Sequence, residues 1–168
     1  RRVLNFIGDY IPCNDLEAAF ARLSATTVVI LGVGAVGSWV ATQLCQSGIS
    51  RLVLVDSDIV EISNLNRSLF TQTDVGRYKV DALLQRLVSI NPGLIGRLLK
   101  QRITDAGELA GLLQDTGPTT IVVNCADSPS VDATSAIVDG ACRGTRTAYV
   151  IAGGYNLHLS LIGMTVLP

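Results

Sequence analysis

A glycine-rich turn between an apolar run and a helical pattern constrains the fold of this chain most strongly. Residues 27–31 are β-branched or apolar and have the length of a strand, and apolar residues recur at helical spacing after the turn. Within the turn, Gly32 permits a sharp reversal, Gly34 lets the backbone approach a phosphate, and Gly37 lets helix and strand pack closely. We therefore predict a strand, a turn and a helix whose N-terminus faces an anion.

An acidic residue follows the second apolar run of the same unit. Residues 52–55 are apolar, and Asp56 comes next, about 20 residues beyond the glycines, where a Rossmann-type unit places a carboxylate that accepts hydrogen bonds from a ribose hydroxyl. This spacing favours a nucleotide site over a purely structural glycine turn. The kind of nucleotide chemistry depends on residues elsewhere in the chain.

Composition limits the possible classes of protein. A chain of 168 residues fits one domain with a sizeable core, and with 48% hydrophobic and only 16% charged residues we expect an apolar interface. A net charge of −1 argues against a surface that binds polyanions. No apolar run reaches roughly 18 residues and no signal peptide is present, so we expect a cytoplasmic protein. Because the first residue is Arg1, we also expect a piece of a longer polypeptide.

Strand and helix patterns alternate along the rest of the chain. Residues 1–25 are predicted to form an N-terminal arm and a helix capped by Asn14, and residues 26–168 a Rossmann-like domain. Further helices are predicted over residues 74–90, 104–114 and 132–142, and further strands over 98–103, 119–124, 147–152 and within 156–166. The predicted fold class is α/β, a doubly wound and mainly parallel sheet in a three-layer α/β/α arrangement.

Four polar side chains are candidates for nucleotide contacts. Asn64 and Arg67 lie in the polar loop after the second strand, which leaves the carboxyl edge of the sheet, although this motif alone is more simply a solvated loop with a surface arginine. Lys79 falls in the first turn of a predicted helix, where the macrodipole disfavours a cation unless an anion lies nearby. Asp127 follows the fourth strand, which the strand order 3-2-1-4 places beside the glycine turn, so it is either a Mg²⁺ ligand or a turn aspartate.

Taken together, these motifs resemble those of the ThiF/MoeB/E1-like activating enzymes. The resemblance runs from about residue 23 to residue 152, and the motifs occur in the order and spacing of that family. They are Gly32-Val33-Gly34-Ala35-Val36-Gly37, Val55-Asp56-Ser57-Asp58, Ser63-Asn64-Leu65-Asn66-Arg67, Val75-Gly76-Arg77-Tyr78-Lys79, Ile90-Asn91-Pro92 and Asn124-Cys125-Ala126-Asp127.

This resemblance implies an activity and a set of roles. Members of the family use ATP and Mg²⁺ to adenylate a carboxylate, usually the C-terminus of a ubiquitin-like protein or peptide, and release pyrophosphate. The resemblance thus implies that residues 26–168 are an ATP-binding adenylation domain, in which the glycine turn would cradle the nucleotide. The carried-over roles are ribose binding by Asp56 within a motif that includes Asp58, phosphate contacts by Asn64, Arg67 and Lys79, and Mg²⁺ binding by Asp127.

The resemblance also implies a dimer and leaves alternatives open. In the family an arginine of the N-terminal arm often reaches across a homodimer interface, and Arg2 resembles it. The run Gly37-Ser38-Trp39-Val40 resembles the branch that dehydrates a tRNA nucleoside, while Trp39 itself is predicted to be a packing residue. An NAD-dependent dehydrogenase, which the glycine turn alone permits, and a non-catalytic partner subunit remain as alternatives of other classes.

Overall fold

The computed structural model describes residues 15–117, 119–155 and 161–168, and these form alternating strands and helices. The strands are β1 (Thr27–Leu31), β2 (Arg51–Val55), β3 (Ile95–Leu99), β4 (Thr120–Asn124), β5 (Ala148–Tyr155) and β6 (Leu161–Val166). The helices are α1 (Leu16–Ala25), α2 (Ala35–Gln46), α3 (Lys79–Ile90), α4 (Ala106–Gln114) and α5 (Val131–Thr145). Two short 3₁₀ turns, Ile62–Asn64 and Gln72–Asp74, lie between β2 and α3.

The strands form one sheet in the order β3-β2-β1-β4-β5-β6. Strands β1 to β5 are parallel to their neighbours, and β6 is antiparallel to β5 at the edge. Leu31 is in register with Val55 and with Asn124, and Val55 is in register with Leu99, so four strands end at the same level. The predicted strand order and the doubly wound, mainly parallel α/β class are confirmed.

The core lies on both faces of the sheet. Alternate residues of β1 separate into two clusters: Val28 and Ile30 pack with residues of α2 and α3, and Val29 and Leu31 pack with residues of α4 and α5. All five residues of β1 are buried, as expected for a central parallel strand covered by helices on both sides. The three layers predicted from the sequence are therefore present.

The chain departs from the predicted boundaries at α3 and β3. Residues 72–74 form a separate 3₁₀ turn, and Gly76 adopts a left-handed φ of 86°, so α3 begins only at Lys79 and is not capped by Thr73 or Asp74. Strand β3 ends at Leu99 instead of continuing to residue 103, because its pairing with β2 ends there. Residues 100–103 are consequently released into the loop at the carboxyl edge.

Two helix caps also differ from prediction. Asp15, not Asn14, caps α1 by accepting the backbone N–H of Ala18, and Asp105, not Thr104, caps α4 by accepting that of Glu108. Trp39, predicted to be a packing residue, is instead 50% exposed on α2. None of the helices in the described parts of the chain is long and apolar enough to cross a membrane.

Candidate functional site

A cleft lies at the carboxyl edge of the sheet, lined by residues of the loops that follow β1, β2, β3 and β4. One wall comes from the loops that lead to α2 and α3, and the other from the loops that lead to α4 and α5. Its polar and glycine lining includes Gly32, Gly34, Asp56, Ser57, Asp58, Lys79, Gln101, Arg102, Asn124, Asp127, Ser128 and Thr134. The cleft thus occupies the topological switch point between β1 and β4, where open α/β sheets bind ligands.

The three glycines of the turn have different environments. Gly32 has a φ of 82°, and a Cβ there would lie 2.7 Å from the backbone nitrogen of Ala126. A Cβ on Gly37 would lie 1.9 Å from the carbonyl oxygen of Gly32, so only glycine lets α2 start this close to the turn. A Cβ on Gly34 would meet no atom within 4 Å, and this residue lines the cleft. Space for a ligand therefore exists beside Gly34.

Asp56 is fixed against the glycine turn by two backbone groups. Its Oδ2 accepts the N–H of Val33 at 2.7 Å, and its Oδ1 accepts the N–H of Asp58 at 2.8 Å. A carboxylate offers about four lone-pair positions, so roughly two remain for other donors. The carboxylate is therefore oriented at the cleft and can still accept hydrogen bonds from a ligand hydroxyl.

Lys79 and Asp58 form an ion pair in the cleft. The Lys79 Nζ lies 2.8 Å from Asp58 Oδ2, and the Lys79 backbone N–H donates to the carbonyl oxygen of Asp58. Lys79 is only 9% exposed, and its hydrogen bond holds the pKa of the Asp58 carboxyl below its ordinary value. The sequence predicts an anion beside Lys79, and in the structure this anion is the carboxylate of Asp58.

A buried amide shapes the loop that carries Asp127. Asn124 is 1% exposed; its Nδ2 donates to Thr134 Oγ1 at 3.1 Å and its Oδ1 accepts the N–H of Ala126 at 3.2 Å. These bonds tie the end of β4 to α5 and direct the loop back over the glycine turn. Asp127 lies exposed in the lining of the cleft, to which Lys79 and Asp58 also belong.

Asn124→Ala is expected to lower the free energy of unfolding by about 2 kcal/mol, because it removes the buried hydrogen bond to Thr134 and the part-buried one from the Ala126 N–H, which then has no partner. Ser135→Ala is the matched control, since the amide contacts Ser135 Oγ only at 3.4 Å, and it should cost less than about 1 kcal/mol. Urea unfolding of both variants measures the difference. Equal stability of the two would show that the Asn124 amide does not hold this loop.

The structure does not bring Asn64 and Arg67 into the lining of the cleft. The Asn64 Oδ1 accepts the N–H of Glu61 at 3.0 Å, and the Arg67 Nη1 donates to the carbonyl oxygen of Ser63 at 2.6 Å and to Asn66 Oδ1 at 3.1 Å. Both side chains are therefore held by their own loop. Their phosphate contacts stay a prediction, as does the role of Arg2, which lies outside the described residues.

Sequence reasoning missed Arg102, which lies in the loop after β3 and lines the cleft. Its Nη1 donates to Ser128 Oγ at 3.0 Å, in the loop after β4. No motif marks either residue. The signal that could have found them is positional, since loops at the carboxyl ends of parallel strands surround the ligand site.

The carboxylates of the cleft fit a Mg²⁺ ion that is shared with a phosphate group. Mg²⁺ is bound in such sites by one or two carboxylates, phosphate oxygens and water, not by a closed protein cage. Across residues 15–117, 119–155 and 161–168, no three His, Cys, Asp or Glu side chains converge as a metal cage. Asp127, exposed at the cleft, provides the single carboxylate that this kind of binding needs.

The aligned strand ends and the cleft between them define a Rossmann-like α/β domain with its ligand site at the switch point. Residues 14–162 match the ThiF family, and the chain belongs to that family.

Similar proteins and a similar crystal structure support this membership. The chain is 33% identical over 145 residues to the sulfur carrier protein ThiS adenylyltransferase of Escherichia coli, covering 86% of this chain and 55% of that protein. It is 48% identical over 71 residues to the tRNA threonylcarbamoyladenosine dehydratase of Bacillus subtilis, covering 42% of this chain and 28% of that protein. The crystal structure of E. coli MccB with ATP superimposes with a TM-score of 0.74 at 29% identity, covering 84% of this chain and 41% of that one. The chain thus spans about half the length of these relatives, or less.

Proposed function

We propose that this chain is an adenylation domain that transfers AMP from ATP to a carboxylate and releases pyrophosphate. The observation that carries the proposal is the cleft itself, in which the open backbone at Gly34, the ammonium of Lys79 and the carboxylate of Asp127 face one space. The proposal is also supported by the chain's membership of the ThiF family and by its similarity to an adenylyltransferase and to a protein crystallised with ATP.

The reaction needs alignment and charge compensation more than a nucleophilic side chain. A substrate carboxylate oxygen attacks the α-phosphorus, the bond from that phosphorus to the bridging oxygen breaks, and pyrophosphate leaves with the bonding electrons. Because carboxylic acids are ionised near neutral pH, no residue has to remove a proton. The residues of the cleft therefore act by holding the two negatively charged reactants in line.

Each residue has a defined task in this proposal. Backbone N–H groups at the start of α2 bind the phosphates, and Asp56 accepts a hydrogen bond from the ribose. Lys79 carries three donors, so it can bind a phosphate oxygen while it keeps its bond to Asp58. Asp127 would hold Mg²⁺, which supplies charge neutralisation on the triphosphate.

The proposed carboxylate is the C-terminus of a ubiquitin-like protein or a peptide. The similar E. coli protein is named an adenylyltransferase of the sulfur carrier protein ThiS, which supports a protein as the substrate. The second candidate is a tRNA nucleoside, favoured by the similarity to the B. subtilis dehydratase, although the net charge of −1 gives little attraction for RNA. A homodimer to which Arg2 contributes is also proposed, and sedimentation of the protein at increasing concentration measures that state.

Thermal unfolding with and without nucleotides tests the proposal. Mg-ATP at about 100 times its dissociation constant should stabilise the folded protein by roughly 2.7 kcal/mol, whereas NAD should not. Exchange of pyrophosphate into ATP, dependent on an added carboxylate protein, peptide or tRNA, then identifies the substrate class. Stabilisation by NAD alone would contradict adenylation and support a dehydrogenase, and no response to either nucleotide would support a non-catalytic partner subunit.

A further inference from the structure

The first turn of α3, which carries Lys79, is held from outside the helix. No side chain caps this helix, whose N-cap residue is Tyr78. On one side the turn bonds through its backbone to the segment that follows β2. Val60 donates its N–H to the carbonyl oxygen of Arg77 at 2.8 Å, and the N–H of Lys79 donates to the carbonyl oxygen of Asp58 at 3.0 Å. The orientation of the turn therefore depends on the elements around it.

Lys100 contacts the same turn from β3. It follows the last residue of β3, and its Nζ lies 2.8 Å from Asp81 Oδ2 and 4.7 Å from the centre of the Tyr78 ring. The first contact is an ion pair, and the second places a cation over an aromatic ring. Tyr78 directly precedes Lys79 and Asp81 follows it by two residues, so Lys100 contacts the turn on both sides of Lys79 in the chain.

The two lysines differ in their relation to the cleft. Lys79 lines the cleft and is only 9% exposed, whereas Lys100 is not part of the lining. The direction in which a side chain leaves a helix is set by the rotation of the turn that carries it, so a rotation of the first turn of α3 would move the Lys79 ammonium. The helix dipole also disfavours a cation at this position, and contacts from outside the helix have to offset that effect. Lys100 can therefore influence the cleft only through the turn that carries Lys79.

We propose that Lys100 is a positioning residue, which holds the first turn of α3 so that the Lys79 ammonium points at the phosphates of the nucleotide. The proposal rests on the nucleotide binding argued above and adds a residue that acts through Lys79. The ion pair of Lys100 is partly exposed, and the Tyr78 side of the contact is exposed too. Such contacts are individually weak, so removal of Lys100 should change binding severalfold and not abolish it.

A double-mutant cycle tests whether Lys100 acts through Lys79. The affinity of the full chain for Mg-ATP is measured by calorimetry for the wild type, Lys100→Met, Lys79→Ala and the double variant. Lys100→Met should weaken binding about threefold when Lys79 is present and by less than about 1.5-fold in the Lys79→Ala background. A merely structural role would give the same factor in both backgrounds, and that result would overturn the proposal.

Two further variants separate positioning from the general effect of charge. Asp81→Ala removes the partner of Lys100 together with a negative charge, so a simple charge effect would strengthen Mg-ATP binding, whereas loss of positioning should weaken it about twofold. Arg143→Met is the matched control, because Arg143 pairs with Asp139 at 2.8 Å outside the cleft lining, and it should leave the affinity unchanged. Tighter binding by Asp81→Ala, or a threefold loss in Arg143→Met, would overturn positioning by Lys100.

These measurements also separate the failure of the two proposals. If the cycle shows the expected coupling but the wild type catalyses no pyrophosphate exchange with any carboxylate, adenylation fails while positioning by Lys100 stands. If exchange occurs and Lys100→Met binds Mg-ATP as the wild type does, adenylation stands and positioning fails. A wild type that binds no Mg-ATP would overturn both.

Discussion

Asp127→Ala is expected to lower the rate of pyrophosphate exchange by at least about a hundredfold, since this carboxylate is the one proposed to hold Mg²⁺ against the triphosphate. Asp127 is exposed and has no described side-chain hydrogen bond or ion pair. Its removal should therefore change the free energy of unfolding by less than about 0.5 kcal/mol. Exchange assays and urea unfolding on the same preparation separate the two effects.

Asp132→Ala is the control for this prediction. Asp132 is an exposed carboxylate in the first turn of α5, five residues further along the chain and outside the cleft lining, so its removal changes the net charge equally. Its exchange rate should stay within about twofold of the wild type. A hundredfold loss in both variants, or in neither, would contradict the role given to Asp127.

Gly37→Ala is expected to destabilise the fold by about 3 kcal/mol or more, because a Cβ there would overlap the carbonyl oxygen of Gly32 at 1.9 Å. Neither group can move alone, since Gly32 donates its N–H to the carbonyl oxygen of Val55 and its own Cβ position is filled by the backbone of Ala126. The clash therefore separates α2 from β1 and distorts the cleft beside the glycine turn. Chemical denaturation measures the loss of stability.

Gly111→Ala provides the same chemical change with the opposite expected sign. Gly111 is exposed inside α4, and a Cβ there would meet nothing within 4 Å. Alanine should stabilise the helix by up to about 1 kcal/mol through its higher helix propensity. If Gly37→Ala proved as stable as Gly111→Ala, the result would contradict the close approach of α2 to the glycine turn.

Short, strongly patterned segments could be predicted from the sequence. The predicted strand over residues 27–31 coincides with β1, and the predicted strand over 119–124 differs from β4 by one residue. Both are central parallel strands, so burial on two faces gives an uninterrupted apolar run with clear ends. The order of strands followed from the glycine turn, because a Rossmann-like unit determines which strands flank it.

Features that depend on pairing between distant segments could not be predicted. The apolar run over residues 98–103 looks like a strand, yet β3 is set by its register with β2 and ends at Leu99. Arg102 lies in the cleft because α4 and α5 bring the loops that precede them together. Nothing in the local sequence indicates the resulting contact between Arg102 and Ser128. Conversely, Asn64 and Arg67 belong to a recognisable motif, but hydrogen bonds within their own loop hold them outside the cleft lining.

The lining of the cleft carries more negative than positive charge, with Asp56, Asp58 and Asp127 against Lys79 and Arg102. An uncomplexed triphosphate would therefore meet net repulsion on approach, and added salt should ease its entry by screening. A nucleotide that arrives with its own divalent counterion brings the missing positive charge with it. If the proposed function holds, the ion pair between Lys79 and Asp58 leaves the cleft with weak attraction for uncomplexed polyanions and favours nucleotides that carry a divalent cation.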